Sequence, residues 1–253
     1  AAGTAVGVLP GGRLTVENAY AYSRFARTVL GTNNIDFRSR AASEEEAEFL
    51  ASRVAGRGMD VTYADLEAAK HVVLVSYEPE DETSVVFLRL RKAVRKHGLK
   101  VTTLAPFASR GTQKLSATLI PVAPGAEAQT LEAMDLGEGT IILVGERAAC
   151  QPGLLSEVSS KAIRSGARLA WMPRRAGDMG AIATGCLPGL LPGGRPVSSA
   201  EARVDMAAAW GVGTLPTDPG LSATEQFASA QEGHLKAFLV AGVDPYDMPE
   251  ADS

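Results

Sequence analysis

Apolar residues fall along the chain in two kinds of pattern. Short continuous runs, His71 to Ser76, Thr140 to Gly145 and Ala237 to Ala241, have strand length and no polar alternation. Such runs mark strands covered on both faces, as in parallel sheets. Lys100 to Leu104, Thr118 to Val122, Ala167 to Met172 and an initial stretch from Thr4 to Val8, closed by a Pro-Gly-Gly turn, read as further strands. Between them the spacing becomes helical. Thr15 is an N-cap for a helix over 16–30, with Ala19, Tyr22, Ala26, Val29 and Leu30 on one stripe and Gly31 as a left-handed stop. Ser43 with Glu46 and Thr62 with Asp65 form capping boxes, the first opening on a solvated acidic turn. A basic amphipathic helix is expected over 83–97, and others over 126–136, 154–165 and 223–229. Strands alternating with helices predict an α/β fold, doubly wound around parallel sheets of Rossmann type. The stretch from Arg174 to Pro196, rich in Gly and Pro, reads as a long irregular surface path.

Composition narrows the function classes. The 253 residues suit one or two domains, and 45% hydrophobic residues can build a sizeable core. A formal charge of −4 argues against coating a nucleic acid, since phosphate contacts need a basic surface. Cys150 and Cys186 are too few for an iron–sulfur cluster or structural zinc site, and His71, His97 and His234 share no helical spacing. No run reaches the length of a membrane span. The first residues lack an initiator Met and a signal-type core, so an excised segment of a longer chain is expected.

Motifs for chemistry are incomplete. No phosphate-cradling loop of the Gly-x4-Gly-Lys-Ser/Thr type occurs, Gly211 and Gly213 supply two of the three Rossmann glycines, and no nucleophile elbow exists. Glu78, Glu80 and Asp81 either act as an acid/base or cation site or are ordinary carboxylates of an exposed loop. Arg174 and Arg175 either bind an anion or cap a strand end. Three strands, 74–79, 143–147 and 239–245, close alike in polar loops at their carboxyl ends, where open α/β sheets place ligands. A cleft near Tyr77, Glu78, Glu146, Arg147 and Asp244 is therefore the place to expect any ligand, with no catalytic role assigned to these residues.

Four stretches in order resemble the molybdopterin oxidoreductase superfamily: Thr15 through Asp36, ending Gly-Thr-Asn-Asn-Ile-Asp; Asp65 through Arg95; Pro173 through Ala181, containing Gly-Asp-Met-Gly; and Gly242 through Pro245. The resemblance implies two Rossmann-like domains, one inserted in the other: 1–40 and 123–253 as a discontinuous domain, 41–122 as the insertion. Departures from the pattern carry the functional expectation. Catalytic members place a metal ligand where this chain has Ala42, and a methyl group ligates nothing. The strand over 100–104 is followed by Ala105 where an Asp would bind guanine, and a Gly-x-Asn-Pro loop reads Ser76 to Pro79, with Tyr77 and Glu78 in the way of phosphate and guanine. No cofactor and no metal is therefore expected in this segment.

Gly145 to Arg147, Ala170 to Gly177 and Leu187 to Pro196 are most similar to a non-catalytic branch of the superfamily, the large iron–sulfur subunits of bacterial respiratory complex I in their actinobacterial form. That resemblance implies a scaffold domain in an NADH:quinone oxidoreductase. It implies iron–sulfur clusters upstream in the parent chain, other peripheral-arm subunits as partners, and a cytoplasmic position, peripheral to the inner membrane without insertion. The alternatives are a nucleotide- or small-anion-binding α/β module and a degenerate molybdopterin oxidoreductase.

Overall fold

The computed structural model describes residues 5–248, so Thr4 of the expected first strand and the tail from Pro249 lie outside the described residues. Strands are β1 (Val6–Pro10), β2 (His71–Val75), β3 (Lys100–Ala105), β4 (Thr118–Pro121), β5 (Thr140–Gly145), β6 (Arg168–Met172), β7 (Leu190–Leu191), β8 (Arg195–Pro196) and β9 (Ala237–Ala241). Contacts divide the chain into two units. One takes the described residues of Ala1–Ala42, Leu50–Gly56 and Arg175–Ser253; the other takes Ser43–Phe49 and Arg57–Arg174.

In the second unit, five parallel strands lie in the order β4-β3-β2-β5-β6. His71 is level with Lys100 on one side and Thr140 on the other. The central strands are the continuous apolar runs, and β5 is buried throughout. The helix Ser84–His97 lays Val86, Phe87, Leu90 and Ala93 on one face of the sheet, against Val72, Leu74, Val101, Ile141 and Leu143. Gly98 stops it in the left-handed region, at φ 69°. Glu127–Ala133 and Leu154–Ser165 pack against each other and reach the sheet through β3, β5 and β6.

This sheet corrects the expected boundaries. β5 and β6 fall beyond residue 122, yet β5 pairs with β2 along its whole length, so the inserted unit runs on to Arg174. Strand order is a matter of hydrogen-bond partners, which an apolar run does not encode. The Ser43–Phe49 stretch also joins this unit, because Glu45 accepts hydrogen bonds from Gly153 N (2.8 Å) and Ser156 N (2.7 Å) at the start of the helix Leu154–Ser165.

In the first unit, β1 and β9 run parallel, Val6 level with Ala237, and Ile35 bridges to Val8 on the other edge of β1. Thr15 caps the helix Val16–Phe25, which continues as a π-helical stretch, Ala26–Leu30, stopped by Gly31 at φ 66°. Its buried stripe is Ala19, Ser23, Ala26 and Arg27, while Val29 is exposed. The Gly/Pro-rich stretch is no surface path. It forms the helix Asp178–Ala183 and the β7–β8 hairpin, and buries Cys186, Leu187, Leu190, Leu191 and Val197. The last two pack with Ala202, Met206 and Trp210 of the helix Ala200–Trp210.

Candidate functional site

In the second unit the strand order reverses direction between β2 and β5, the topological switch point at which open α/β sheets hold ligands. Tyr77, Glu78, Glu146 and Arg147 all lie there. Gly145 meets the Ser76 carbonyl so closely that a Cβ would overlap it, and Ser76 itself takes φ 48°. The sharp exit this produces turns Tyr77 inward, where it is buried and hydrogen-bonded to the Thr83 hydroxyl. Burial raises the phenol's pKa above its ordinary value; the Thr83 hydrogen bond opposes this, and Glu82 and Glu78 add to it.

Glu78 is the centre of the cluster. Rather than part of an exposed loop, it is the N-cap of a short helical turn, Pro79–Glu82, its carboxylate accepting from Glu80 N at 3.3 Å. The same carboxylate accepts the Ser109 hydroxyl and lies over Gly111, where a Cβ would overlap it. Glu82, its side chain 5% exposed, accepts from Glu78 N (2.9 Å) and from Arg147 (2.7 Å). Arg174 stands 3.9 Å from both Glu82 and Glu146. Arg174 thus serves this carboxylate cluster, whereas Arg175 belongs to the other unit. Ser109, Gly111 and Glu82 escape a reading of β2 and β5 alone, because the first two follow β3. The Ser109/Thr112 capping box was their only local signal.

In the first unit, the stretch from Thr32 to Arg40 is buried throughout, although most of it is polar. Asn33, Asn34 and Asp36 are engaged by the chain itself. Asn33 accepts from Arg27 Nε (3.0 Å) and donates to the Asp218 carbonyl (2.8 Å); Asn34 accepts from Leu221 N (2.9 Å). Asp36 takes Arg38 through two nitrogens, at 3.0 and 2.8 Å, and also Ala223 N at 3.1 Å. The run then ends in Ala41 and Ala42, the latter partly exposed. Ala105 is the last residue of β3, partly exposed and level with Pro121.

At the carboxyl ends of β1 and β9, Gly11, Gly12, Arg13, Ser39, Arg40, Arg175, Asp178 and Gly242 face a narrow crevice. A Cβ on Gly12 would overlap the Asp178 carboxylate. Arg13 (2.8 Å) and Arg175 (3.1 Å) converge on one oxygen of Asp247. Burial pushes the Asp247 carboxyl up, but the two guanidinium groups outweigh it and hold the group below its ordinary range. Asp244 caps the turn Pro245–Asp247 and accepts from Tyr246 N at 3.1 Å. Asp244 belongs to this unit, and the other four residues of the expected cleft belong to the second.

Across residues 2–251 the chain matches the family model for molybdopterin oxidoreductases. The chain belongs to the molybdopterin oxidoreductase family. Within it, the chain is 51% identical over 98% of its length to the G subunit of NADH-quinone oxidoreductase from Mycobacterium bovis. It is 49% identical over 96% of its length to the corresponding G subunit of Streptomyces coelicolor. A putative formate dehydrogenase of Bacillus subtilis is 24% identical over 94% of the chain. The chain spans about a third of the length of these relatives: 32%, 32% and 31%. Family membership accords with the α/β architecture of parallel sheets. Among the described residues no group of three His, Cys, Asp or Glu side chains is placed to hold a metal ion, and no helix is long and apolar enough to cross a membrane.

Proposed function

We propose that this chain is a scaffold segment of the large iron–sulfur subunit of an NADH:quinone oxidoreductase, without a cofactor of its own. The observation that carries the reading is the Glu78 carboxylate, which fills the switch-point position where family resemblance puts phosphate and guanine. A carboxylate bonded to Ser109 and pressed on Gly111 repels a phosphate and occupies the Ser109 hydroxyl that could have donated to it. Ala42 offers a methyl group where a metal would need a thiolate or oxygen, and Ala105 accepts nothing from a guanine edge. The residues present do not fit a pterin dinucleotide or its metal. The names of the relatives at about 50% identity support the assignment to an NADH–quinone complex.

In this reading, iron–sulfur clusters in another part of the parent chain carry electrons from NADH toward quinone. The present units supply a rigid surface for the other peripheral-arm subunits on the cytoplasmic face of the membrane, contacting neither nucleic acid nor the bilayer core. The test is elemental and fluorimetric analysis of the purified chain. Molybdenum and tungsten below a few hundredths per chain, and no pterin fluorescence after denaturation, are the expected results. Stoichiometric metal or released pterin would sink the proposal.

One observation favours a second reading, a small-anion-binding module. Arg13 and Arg175 already hold a carboxylate at the ends of two parallel strands. Calorimetric titration with NADH, GTP and GMP separates the two, since the scaffold reading expects no heat at millimolar ligand.

A further inference from the structure

One surface of the second unit sets exposed apolar side chains beside a row of cations. The helix Ser84–His97 buries Val86, Phe87, Leu90 and Ala93 against its sheet, and the same periodicity turns Val85, Leu88, Lys92, Arg95 and Lys96 outward. Val85 is 48% exposed and Leu88 59%; Tyr63, on the neighbouring helix Tyr63–Ala68, is 50% exposed. Arg89, one turn beyond Val85, lays its guanidinium over the Tyr63 ring, 5.5 Å from the centroid, and so joins the two exposed surfaces. Glu67 holds two of the cations in place, one oxygen accepting from Arg89 (2.7 Å) and the other from Lys92 (2.6 Å). The helix itself carries no acidic residue, so Arg95 and Lys96 extend the row with positive charge in a chain whose net charge is −4.

Single exposed aliphatics are ordinary, but here they adjoin Tyr and Arg, the residues that anchor protein interfaces. Side chains already held by Glu67 and Tyr63 lose little freedom on binding. Leu88, Lys92 and Lys96 stand four residues apart in a row about 12 Å long, the stripe onto which another helix packs. The cations call for carboxylates on that helix. A bilayer is a poorer match, because the broad apolar face of Ser84–His97 is already packed on the sheet.

We propose that this face docks an acidic amphipathic helix of another protein chain, its apolar stripe on Val85, Leu88 and Tyr63 and its carboxylates on Lys92, Arg95 and Lys96. The proposal deepens the scaffold reading and rests on it only for the partner being a neighbouring subunit.

The experiment titrates the 253-residue chain with a fluorescein-labelled helical peptide of about 18 residues, leucine along one stripe and glutamate on both flanks, followed by anisotropy. A counterpart with lysine for glutamate is the control. The glutamate peptide should bind at least about tenfold more tightly than its counterpart. Arg95→Glu with Lys96→Glu should weaken it at least about tenfold, and Leu88→Ser at least about threefold. Should the charge reversal not fold, Arg95→Gln with Lys96→Gln takes its place. Binding absent at millimolar peptide, or equal in chain and variants, overturns the proposal. Tighter binding to phosphatidylglycerol vesicles or to a DNA duplex also overturns it, making the face a phosphate-reading surface. These failures leave the scaffold reading standing, whereas bound metal or pterin sinks that reading without touching this face.

Discussion

Replacing Arg27 by Met removes the most deeply buried cation of the first unit while keeping its apolar stem. The guanidinium is 1% exposed and donates to Asn33 Oδ1 (3.0 Å), Ser23 Oγ (2.8 Å) and the Leu190 carbonyl (2.7 Å), with longer contacts to the Ser23 and Leu187 carbonyls. Burial lowers its pKa to about 10, the neighbouring Cys186 thiol partly opposing this, so it stays charged at neutral pH. In the Met variant the Ser23 hydroxyl can turn to its own helix, but Asn33 Oδ1 and the Leu190 carbonyl lose their partner. Each stranded acceptor costs about 1–3 kcal/mol. Some of this is offset, because the desolvation of a buried cation is no longer borne. The net loss is about 2–4 kcal/mol. Each unit holds one tryptophan, Trp210 in the first and Trp171 in the second, so urea unfolding followed by fluorescence in a Trp171→Phe background reports the first unit. With a slope of about 2 kcal/mol per molar urea, the midpoint should fall by about 1–2 M. A fall of less than about 0.3 M would refute the idea that this guanidinium holds the loop carrying Asn33.

Three other outcomes are expected. Gly12→Ala drives a methyl into the Asp178 carboxylate and to 3.1 Å from Arg175 Cβ, costing the first unit at least about 1–3 kcal/mol by the Trp210 signal. At Glu45, burial raises the pKa, but hydrogen bonds from Ser156, Gly153 and Leu155 outweigh it and leave the group below 4.5. A lowered carboxyl stabilises fully above its unfolded value and loses that contribution as pH falls through the folded one. Glu45→Gln should therefore cost about 1 kcal/mol at pH 7, measured through Trp171, and progressively less as pH falls through the folded value. At Cys186, burial pushes the thiol up to about 11 against the Thr184 hydrogen bond and Arg27, whereas Cys150 is exposed. Ellman's reagent should titrate one thiol in the native chain and the second only after unfolding.

The parts of the fold legible in the sequence are those where one physical cause dominates. A strand covered on both faces must be apolar throughout, so β2 and β5 are visible as runs, and Thr15, Gly31 and Thr62 mark helix ends by their own chemistry. Glycine and proline between Arg174 and Pro196 reveal backbone conformation but say nothing of exposure; Gly185 and Gly194 are left-handed inside packed structure. The helix Ala200–Trp210 is missed because its small residues draw no stripe: Ala202, Met206, Ala207 and Trp210 are buried while Val204 is exposed. Buried Arg27, Asp36 and Arg38 defeat the rule that charges lie outside: Asp36 and Arg38 pair with each other, and Arg27 and Asp36 draw further partners from the distant Leu190 carbonyl and Ala223 N. The strand-end similarity located Tyr77, Glu78, Glu146 and Arg147, but the loop after β3, which holds Glu78, had no shared ending to reveal it.

The pairing of β1 with β9 also sets an order of events during synthesis. Val6 meets Ala237, so its partner emerges only after some 230 more residues, about 10–45 s at ribosomal rates. The strands β2 to β6, by contrast, lie within a contiguous stretch that ends at Met172. The second unit's sheet can close while the last strand of the first is still unmade. Within the polar run from Thr32 to Arg40, Asn33, Asn34 and Asp36 must wait for most of that interval for the partners they take from Asp218, Leu221 and Ala223.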